Sequence, residues 1–209
     1  MNNFVVTIGR EFGSGGREIG EKLAERLGFN FYNDRLLSDV SHKTGIDKSL
    51  FEDADEKQKE ASWYMMAMNV LNAFGKDKSV DELPSSEQLF LEQSKFIEEL
   101  AENENCVVVG RCSNYLLKNK PNALHVFIFA DEDTKIRRIM ERQGLSEKDA
   151  KKHMQKIEKE RKEYYEYYTG KKYGNFQDYD LCISSSKCRI EEIAAIIERL
   201  VRNRIIQEE

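Results

Sequence analysis

Proline, cysteine and long apolar runs are all scarce in this chain, and each shortage excludes a class of protein. Prolines occur only at Pro84 and Pro121, so long helices are permitted almost everywhere. The four cysteines form no CxxC pair, which argues against a metal site and favours thiols that simply pack. The N-terminus lacks a basic segment followed by an apolar one, and no apolar run approaches the roughly 20 residues that span a bilayer. We therefore expect a soluble, cytoplasmic protein without a membrane segment.

The net charge of −5 argues against non-specific binding to a long nucleic acid. Basic residues nevertheless outnumber acidic ones between Lys135 and Lys172, while the rest of the chain is strongly acidic. A basic island of this kind suits a small polyanion, although most of its charges are expected to form a solvated helix face. The expected partners are therefore nucleotide-like small molecules.

The N-terminal segment predicts a strand, a glycine-rich turn and a helix, in that order. Phe4–Ile8 is a short β-branched run that ends at Gly9, as is typical of a buried strand. After the turn, apolar residues recur at helical spacing and stop at Gly28, a common C-terminal signal. This order is the first half of a βαβ unit.

Four further strands are predicted from apolar runs, at residues 29–32, 106–109, 124–130 and 179–184. Helices are predicted between them, among them residues 86–103 and a C-terminal helix from Ile190. The near-continuous apolar character of three of these strands favours a parallel sheet covered by helices on both faces. The predicted fold class is therefore α/β.

The segment from Ser41 to Pro84 breaks this alternation because it contains no predicted strand. Within it, Ala61–Phe74 is apolar on nearly every side, and a helix of that kind must be buried on several faces. The segment could pack beneath a substrate pocket, or it could form the contact of a homo-oligomer. Both alternatives stay open from the sequence.

The glycine-rich turn has the composition of an anion site. A loop between a strand and a helix presents backbone N–H groups and the positive end of the helix dipole to a phosphate. The predicted phosphate-binding residues are Gly13, Ser14, Gly15, Gly16 and Arg17. The alternative is a tight strand–helix connection that carries an exposed arginine.

The turn departs from the standard Walker A sequence, GxxxxGK[ST]. When Gly16 is aligned with the second glycine, Arg17 replaces the lysine and Glu18 replaces the Ser/Thr that helps to hold Mg²⁺. The first glycine becomes Glu11. Because arginine and lysine differ in donor geometry and Glu18 has no hydroxyl, the sequence predicts phosphate binding in a geometry unlike the usual one.

Five segments carry a pattern that is specific only when they are taken together: Arg10–Ile19, Phe31–Asp34, Val107–Cys112, Tyr164–Gly174 and Tyr179–Ser184. The pattern resembles that of the cytidylate-kinase-like family, a variant branch of the nucleoside-monophosphate kinases, over nearly the whole chain. The resemblance implies a P-loop NTPase-type five-stranded parallel sheet with helices on both faces. It also implies one domain with a core at about 1–35 and 104–209, a helical monophosphate-binding insertion at about 36–103 and a helical lid at about 144–175.

The same resemblance implies an activity and a set of site residues. The activity is transfer of a phosphoryl group from ATP, with Mg²⁺, to a nucleoside monophosphate such as CMP or dCMP. The implied acceptor-binding residues are Asp34, Arg35 and Arg111, and the implied catalytic residues are Arg17, Arg161 and Arg137. The metal-binding residues stay unknown. Arg111 could instead be an ordinary surface arginine, and Asp34 could be a helix N-cap.

The chain departs from the family pattern in two places. Cys112 stands where cytidylate kinases have an aspartate after Gly-Arg, and tyrosines replace most of the arginines of the predicted lid. Two alternatives to nucleotide phosphorylation therefore stay open. One is a non-catalytic module that binds a nucleotide or a phosphometabolite, and the other is a kinase of a non-nucleotide acceptor.

Overall fold

The computed structural model describes residues 3–33 and 85–207. Its strands are β1 (Val5–Arg10), β2 (Asn30–Asn33), β3 (Cys106–Val109), β4 (Ala123–Phe129) and β5 (Leu181–Ser184). Its α-helices are α1 (Gly16–Leu27), α2 (Ser85–Asn103), α3 (Ser113–Leu116), α4 (Glu132–Gln143), α5 (Glu147–Thr169) and α6 (Ile190–Gln207). A single 3₁₀ turn in these ranges, Phe176–Asp178, precedes β5.

The strands form one parallel sheet in the order β2-β3-β1-β4-β5. The central strand is β1, where Val5 lies opposite Cys106 of β3 and Ala123 of β4. Because all the strands run the same way, their carboxyl ends meet at one edge of the sheet. In open sheets of this kind, ligands bind at that edge.

The two faces of the sheet bury separate apolar clusters, because successive strand residues point to opposite sides. On one face, Val6 and Ile8 pack against α1 and α6. On the other, Val5 and Val108 pack against α2, α3 and the C-terminal part of α5. Fully buried side chains such as these contribute about 1.5–3 kcal/mol each. The sheet is thereby fixed between two helical layers.

Helices α4 and α5 form a pair with a small core of its own. Ile136, Ile139, Ala150 and Met154 are buried between them, and Phe12 of the glycine-rich turn packs on this cluster. The pair has well-defined ends, since Asp131 accepts a hydrogen bond from Thr134 N at 2.8 Å and Ser146 caps α5. Phe12 therefore joins the turn after β1 to the helix pair.

The structure confirms the predicted α/β fold with a five-stranded parallel sheet. Each predicted strand overlaps an observed one; β1 runs two residues further than predicted, to Arg10, and the last strand begins two residues later, at Leu181. The reason is local, because Tyr179 N donates to Phe176 O at 3.3 Å and closes the 3₁₀ turn just before the strand.

Some predictions fall on residues outside the described ranges. Asp34, Arg35 and the apolar segment Ala61–Phe74, with its predicted oligomer contact, lie there. Helix α2 falls within the predicted insertion and α5 within the predicted lid, but the domain boundaries and any lid movement stay predictions. Across the described residues, no helix has both the length and the apolar character that a membrane span requires.

Candidate active site

The glycine-rich turn curls tightly between β1 and α1. Gly13 and Gly15 have φ values of 80° and 81°, a left-handed conformation that side chains other than glycine rarely adopt. A Cβ atom on Gly13 would lie 3.0 Å from the backbone oxygen of Lys135. A side chain at either position would therefore be strained, and glycine relieves that strain.

A cavity of about 320 Å³ opens over this turn, at the start of α1. Its lining includes Gly13, Gly15 and Gly16 together with four arginines, Arg10, Arg17, Arg142 and Arg161. The positive end of the α1 dipole adds to the charge of these side chains. The cavity thus has the electrostatics of a phosphate site.

Arg138 braces the turn from α4. Its guanidinium donates to Ser14 O at 2.9 Å, to Ser185 Oγ at 2.8 Å and to Ser185 O at 2.9 Å. The Ser185 hydroxyl also donates to Ser14 O, at 2.5 Å. Burial, and next the nearby cations Arg142 and Arg137, lower the pKa of Arg138. Arg138 thereby ties the turn to α4 and to the end of β5.

Ser14 and Glu11 serve the internal structure of the turn. The buried Ser14 hydroxyl donates to Glu11 O at 2.8 Å. The Glu11 carboxylate accepts from Lys135 Nζ at 3.0 Å and from Ala130 N at 3.1 Å. Glu11, which stands at the first Walker glycine in the alignment, therefore links the turn to α4 and to the end of β4.

The backbone of Phe12 is engaged by α5. Phe12 N donates to the carboxylate of Glu158, while the Phe12 ring lies 5.2 Å from the His153 ring and 5.4 Å from the Arg161 guanidinium. Burial raises the pKa of Glu158, against the opposing effects of the Phe12 N–H and the Arg161 charge. A carboxylate therefore occupies one backbone donor of the glycine-rich turn.

Arg17 and Glu18, the two unusual residues at the start of α1, both take part in ion pairs. Arg17 Nε lies 3.0 Å from Glu21 Oε1, and the Arg17 side chain is 65% exposed. Glu18 pairs with Arg142. Arg17 therefore lines the rim of the loop cavity and would have to leave Glu21 to reach a ligand in it.

A second cavity, of about 290 Å³, lies beyond the end of β3. The chain leaves the strand through three successive left-handed residues, Gly110, Arg111 and Cys112, with φ values of 90°, 53° and 56°. For residues other than glycine this conformation costs about 1–3 kcal/mol each, and such strain is concentrated at functional sites. The bend brings Arg111 to the wall of the cavity.

Aromatic side chains form much of the remaining wall of this second cavity. Tyr164, Tyr165, Tyr173 and Tyr179 all line it. The Arg111 guanidinium lies 5.3 Å from the centroid of the Tyr164 ring, a cation–π contact. Asn114 Nδ2 donates to Tyr165 OH at 3.0 Å, and burial raises the pKa of Tyr165 to about 12. The wall therefore offers flat apolar faces with neutral phenol groups.

The two cavities meet at Arg10 and Arg161, which line both. Arg161 Nη1 donates to Arg10 O at 3.1 Å, and Tyr173 OH donates to the same oxygen at 2.6 Å. Two cations thus stand at the boundary between the phosphate-type cavity and the aromatic one. This is the arrangement needed to neutralise anions that approach each other from opposite sides.

The structure brings some of the sequence-predicted site residues together. Arg111 and Arg161 line one cavity, while Arg161, Gly13, Gly15, Gly16 and Arg17 line the other. Arg137 is exposed on α4 and lines neither, because the inward-facing position is that of Arg138. Asp34 and Arg35 lie outside the described residues. None of these positions establishes a catalytic role, so the assigned roles stay predictions.

Sequence reasoning assigned no role to Arg10, Glu158 or Tyr173, and of the adjacent Arg137 and Arg138 it chose Arg137. Arg10 is the last residue of β1 and the first of the motif that carries the family resemblance, so its place at the strand end was a usable signal. Glu158 and Tyr173 reach the site from far along the chain; nothing in the sequence marks Glu158, whereas Tyr173 lies in the segment Tyr164–Gly174 that carries the family resemblance. Among the described residues, no group of three His, Cys, Asp or Glu side chains is placed to hold a metal ion.

Known proteins of three kinds resemble this chain. A cytidylate kinase from Thermoplasma acidophilum is 23% identical over 194 residues, covering 92% of this chain and 89% of that protein. The crystal structure of an uncharacterized protein from Eubacterium ventriosum matches with a TM-score of 0.72 at 29% identity, covering 96% and 99% of the two chains. Shikimate kinase from Bacteroides thetaiotaomicron matches with a TM-score of 0.52 at 14% identity over 95% and 98%, a likeness of fold alone.

The family comparison covers most of the chain and agrees with the geometry described above. The model of the cytidylate kinase-like family matches residues 5–187, which include all five strands, the glycine-rich turn and both cavities. The sheet and turn have the fold of P-loop kinases, as the likeness to shikimate kinase also indicates. The chain belongs to the cytidylate kinase-like family.

Proposed function

We propose that this protein transfers a phosphoryl group from ATP to a nucleoside monophosphate, with CMP or dCMP as the expected acceptor. One observation carries the proposal: a phosphate-type cavity and an aromatic cavity adjoin at Arg10 and Arg161. The first suits the phosphates of a donor, and the second suits a small phosphorylated acceptor with a flat base. The products are then ADP and a nucleoside diphosphate.

The turn after β1 fits the phosphates of ATP. Gly13, Gly15 and Gly16 line the cavity without adding side chains to it, at the helix N-terminus where N–H groups and the helix dipole favour an anion. When bound, ATP with Mg²⁺ supplies the transferable γ-phosphoryl group. Glu11 and Glu18 are both paired with cations in the structure, so we assign neither of them to the metal.

Arg111 is the proposed ligand of the acceptor phosphate. A guanidinium can grip a phosphate through two parallel hydrogen bonds, and the strained bend after β3 holds this one at the cavity wall. The rings of Tyr164 and its neighbours offer faces on which a base can stack. Asp34 and Arg35 remain proposed contacts of the base and ribose.

The charge that develops during transfer is proposed to be neutralised by arginines. Arg161 stands at the boundary of the two cavities, and Arg17 and Arg137 are further proposed contributors. Phosphoryl transfer depends mainly on positioning and on cationic stabilisation of this kind. No general base is assigned, since the attacking phosphate oxygen is already deprotonated near neutral pH.

The test is an ADP-release assay with ATP and Mg²⁺ against a panel of nucleoside monophosphates. We expect turnover that is strongest with CMP or dCMP, and loss of that turnover in Arg111→Met. The matched control is Arg199→Met, on the exposed surface of α6, which should behave as the wild type. Absence of turnover with every acceptor on the panel would contradict the proposed activity.

A specific observation favours a second candidate, a module that binds a nucleotide without transferring phosphate. Glu158 engages the Phe12 N–H, and tyrosines take the place of most lid arginines that could stabilise transfer. ATP binding without Mg²⁺-dependent product formation would favour this candidate. Product formation with a phosphate-free or non-nucleotide acceptor would instead indicate a kinase of another substrate on the same scaffold.

A further inference from the structure

Arg10 occupies the space beside the first residue of α1. A Cβ atom built on Gly16 would lie 2.5 Å from Arg10 Cβ and 3.0 Å from Arg10 Cγ. The stem of the Arg10 side chain therefore fills the volume that a side chain at the start of this helix would need. In a standard Walker A loop, the lysine that reaches the β- and γ-phosphates is carried at the start of the helix.

The direction of the Arg10 side chain follows from the pleat of β1. A Cβ atom on Gly9 would lie 2.8 Å from Tyr179 OH, so Gly9 faces the aromatic cavity. Because successive strand residues point to opposite sides, Arg10 faces the glycine-rich turn. This agrees with its contact at Gly16 and with its place in the lining of both cavities.

The backbone of Arg10 is held in place from α5 and from the loop after it. Arg10 O accepts hydrogen bonds from Arg161 Nη1 at 3.1 Å and from Tyr173 OH at 2.6 Å. The Tyr173 phenol is protonated at neutral pH and can donate, and burial raises its pKa further. A fixed backbone limits where the side chain can go, which is the preorganisation that electrostatic catalysis requires.

The other arginines around the loop cavity have different placements. Arg17 pairs with Glu21 along the outer surface of α1, and Arg142 pairs with Glu18. Arg138 donates to the carbonyl groups of Ser14 and Ser185. Of the cations that line this cavity, Arg10 and Arg161 are the two that also reach the second one.

Resting on the phosphoryl transfer proposed above, we propose that Arg10 is the cation that binds the transferring phosphoryl group in this chain. Arg10 would perform the role of the Walker lysine from the end of β1, with its side chain lying across Gly16, which has no side chain of its own. Its planar guanidinium can contact two phosphate oxygens at once, which a lysine ammonium cannot do in the same way. Gly16 is then required because it leaves room for Arg10.

The experiment compares Arg10→Met, Arg10→Lys, Arg17→Met and the surface control Arg199→Met. Affinity for ATP in the presence of Mg²⁺ is measured by titration calorimetry, turnover by ADP release with the best acceptor, and folding by the thermal unfolding midpoint. Calorimetry gives a readout of Arg10 that does not depend on finding the acceptor.

Arg10→Met is expected to lower turnover by about 10³-fold or more, the effect of removing one cation from a transferring phosphoryl group. It should also weaken ATP binding by about tenfold or more, as loss of a charged hydrogen bond does. Its unfolding midpoint should stay close to that of Arg199→Met. Arg10→Lys should fold normally and recover part of the turnover, since it keeps the charge and loses the planar fork.

The inference is overturned if Arg10→Met keeps the ATP affinity and the turnover of the wild type. It is also overturned if Arg17→Met is the one variant that loses ATP affinity and turnover. Losses in both variants support Arg10 and keep Arg17 as a second phosphate contact. If Arg10→Met does not fold, Arg10→Gln replaces it: ATP affinity and turnover equal to those of the wild type overturn the inference, and loss of both supports it. If no acceptor is turned over but Arg10→Met still loses ATP binding, the proposed nucleoside-monophosphate acceptor is wrong. The assignment of Arg10 as a ligand of the ATP phosphates is then supported. A wild-type chain that binds no ATP overturns both.

Discussion

Two neighbouring strands of the sheet end in bends of opposite character, and the candidate site lies between them. After β1, the left-handed positions of the turn are glycines, Gly13 and Gly15. After β3, two of the three left-handed positions carry side chains, Arg111 and Cys112. The first bend adopts the left-handed conformation without strain, whereas the second bears strain while it brings the Arg111 guanidinium to a cavity wall. The difference shows that glycine relieves the strain of a left-handed bend, and that a bend which carries side chains has to bear it.

The largest effect is expected from Gly16→Ala, which adds a side chain to the glycine that begins α1 after the first bend. The new Cβ atom would lie 2.5 Å from Arg10 Cβ, so the strand end or the helix has to shift. We expect the free energy of unfolding to fall by about 1–3 kcal/mol, as overpacking does, and ATP binding to be lost. Chemical denaturation and titration calorimetry measure the two effects.

Gly28→Ala is the matched control for that substitution. Unlike Gly16, Gly28 has a left-handed φ, 70°, but a Cβ there would meet nothing within 4 Å. We expect a cost of about 1–2 kcal/mol from the backbone conformation alone, with ATP affinity unchanged. ATP affinity in Gly16→Ala as high as in Gly28→Ala would contradict the requirement for a bare surface at the start of α1.

An intermediate effect, on the KM for the acceptor, is expected from Arg111→Asn in the bend after β3. Asparagine tolerates the left-handed conformation, so the bend should persist while the guanidinium is lost. We expect the KM for the acceptor to rise about 10–100-fold, the range for loss of a charged hydrogen bond, with little change in the KM for ATP. Steady-state kinetics with each substrate varied in turn provide the measurement. An equal rise in both KM values would place Arg111 outside a dedicated acceptor site.

The smallest effect is expected from Glu158→Gln, which removes a buried charge from beside the turn. Burial raises the pKa of Glu158 in the folded state above its usual value of 4.5. Ionisation of this carboxyl group therefore lowers the free energy of unfolding as the pH rises above 4.5. The glutamine variant should therefore be the more stable at neutral pH, and its advantage should shrink as pH falls through that value. Denaturation curves between pH 4 and pH 7.5 test this. A wild-type chain that gains stability relative to the variant as pH rises would contradict it.

The sequence predicted the local elements well because their signals are local. The β-branched run before Gly9 became β1, and residues 106–109 became β3 with the same bounds as predicted. Helix α1 ends at Leu27, just before Gly28, as predicted. These features depend on backbone conformation and on burial of short apolar runs, both of which a single sequence displays.

The sequence predicted the candidate site less completely because side-chain direction is not a local property. Arg137 and Arg138 are adjacent, and only the rotation of α4 against the turn decides that Arg138 is the one that reaches Ser14. Arg17 followed the glycines in the position of a phosphate ligand, yet it pairs with Glu21 one helical turn away. The glycine motif therefore indicated where the candidate site lies, but not which arginines face it.

What the sequence determined by itself is a parallel α/β sheet with a glycine-rich turn after its first strand and membership of the cytidylate kinase-like family. Only the tertiary structure brought Arg161 onto the carbonyl oxygen of Arg10, a pair separated by 151 positions along the chain. Only it placed the stem of Arg10 against Gly16. The physical reason is that glycine patterns and apolar periodicity act through the local backbone. A site at the edge of a parallel sheet, in contrast, is assembled from strand ends and helices that meet only after long-range packing.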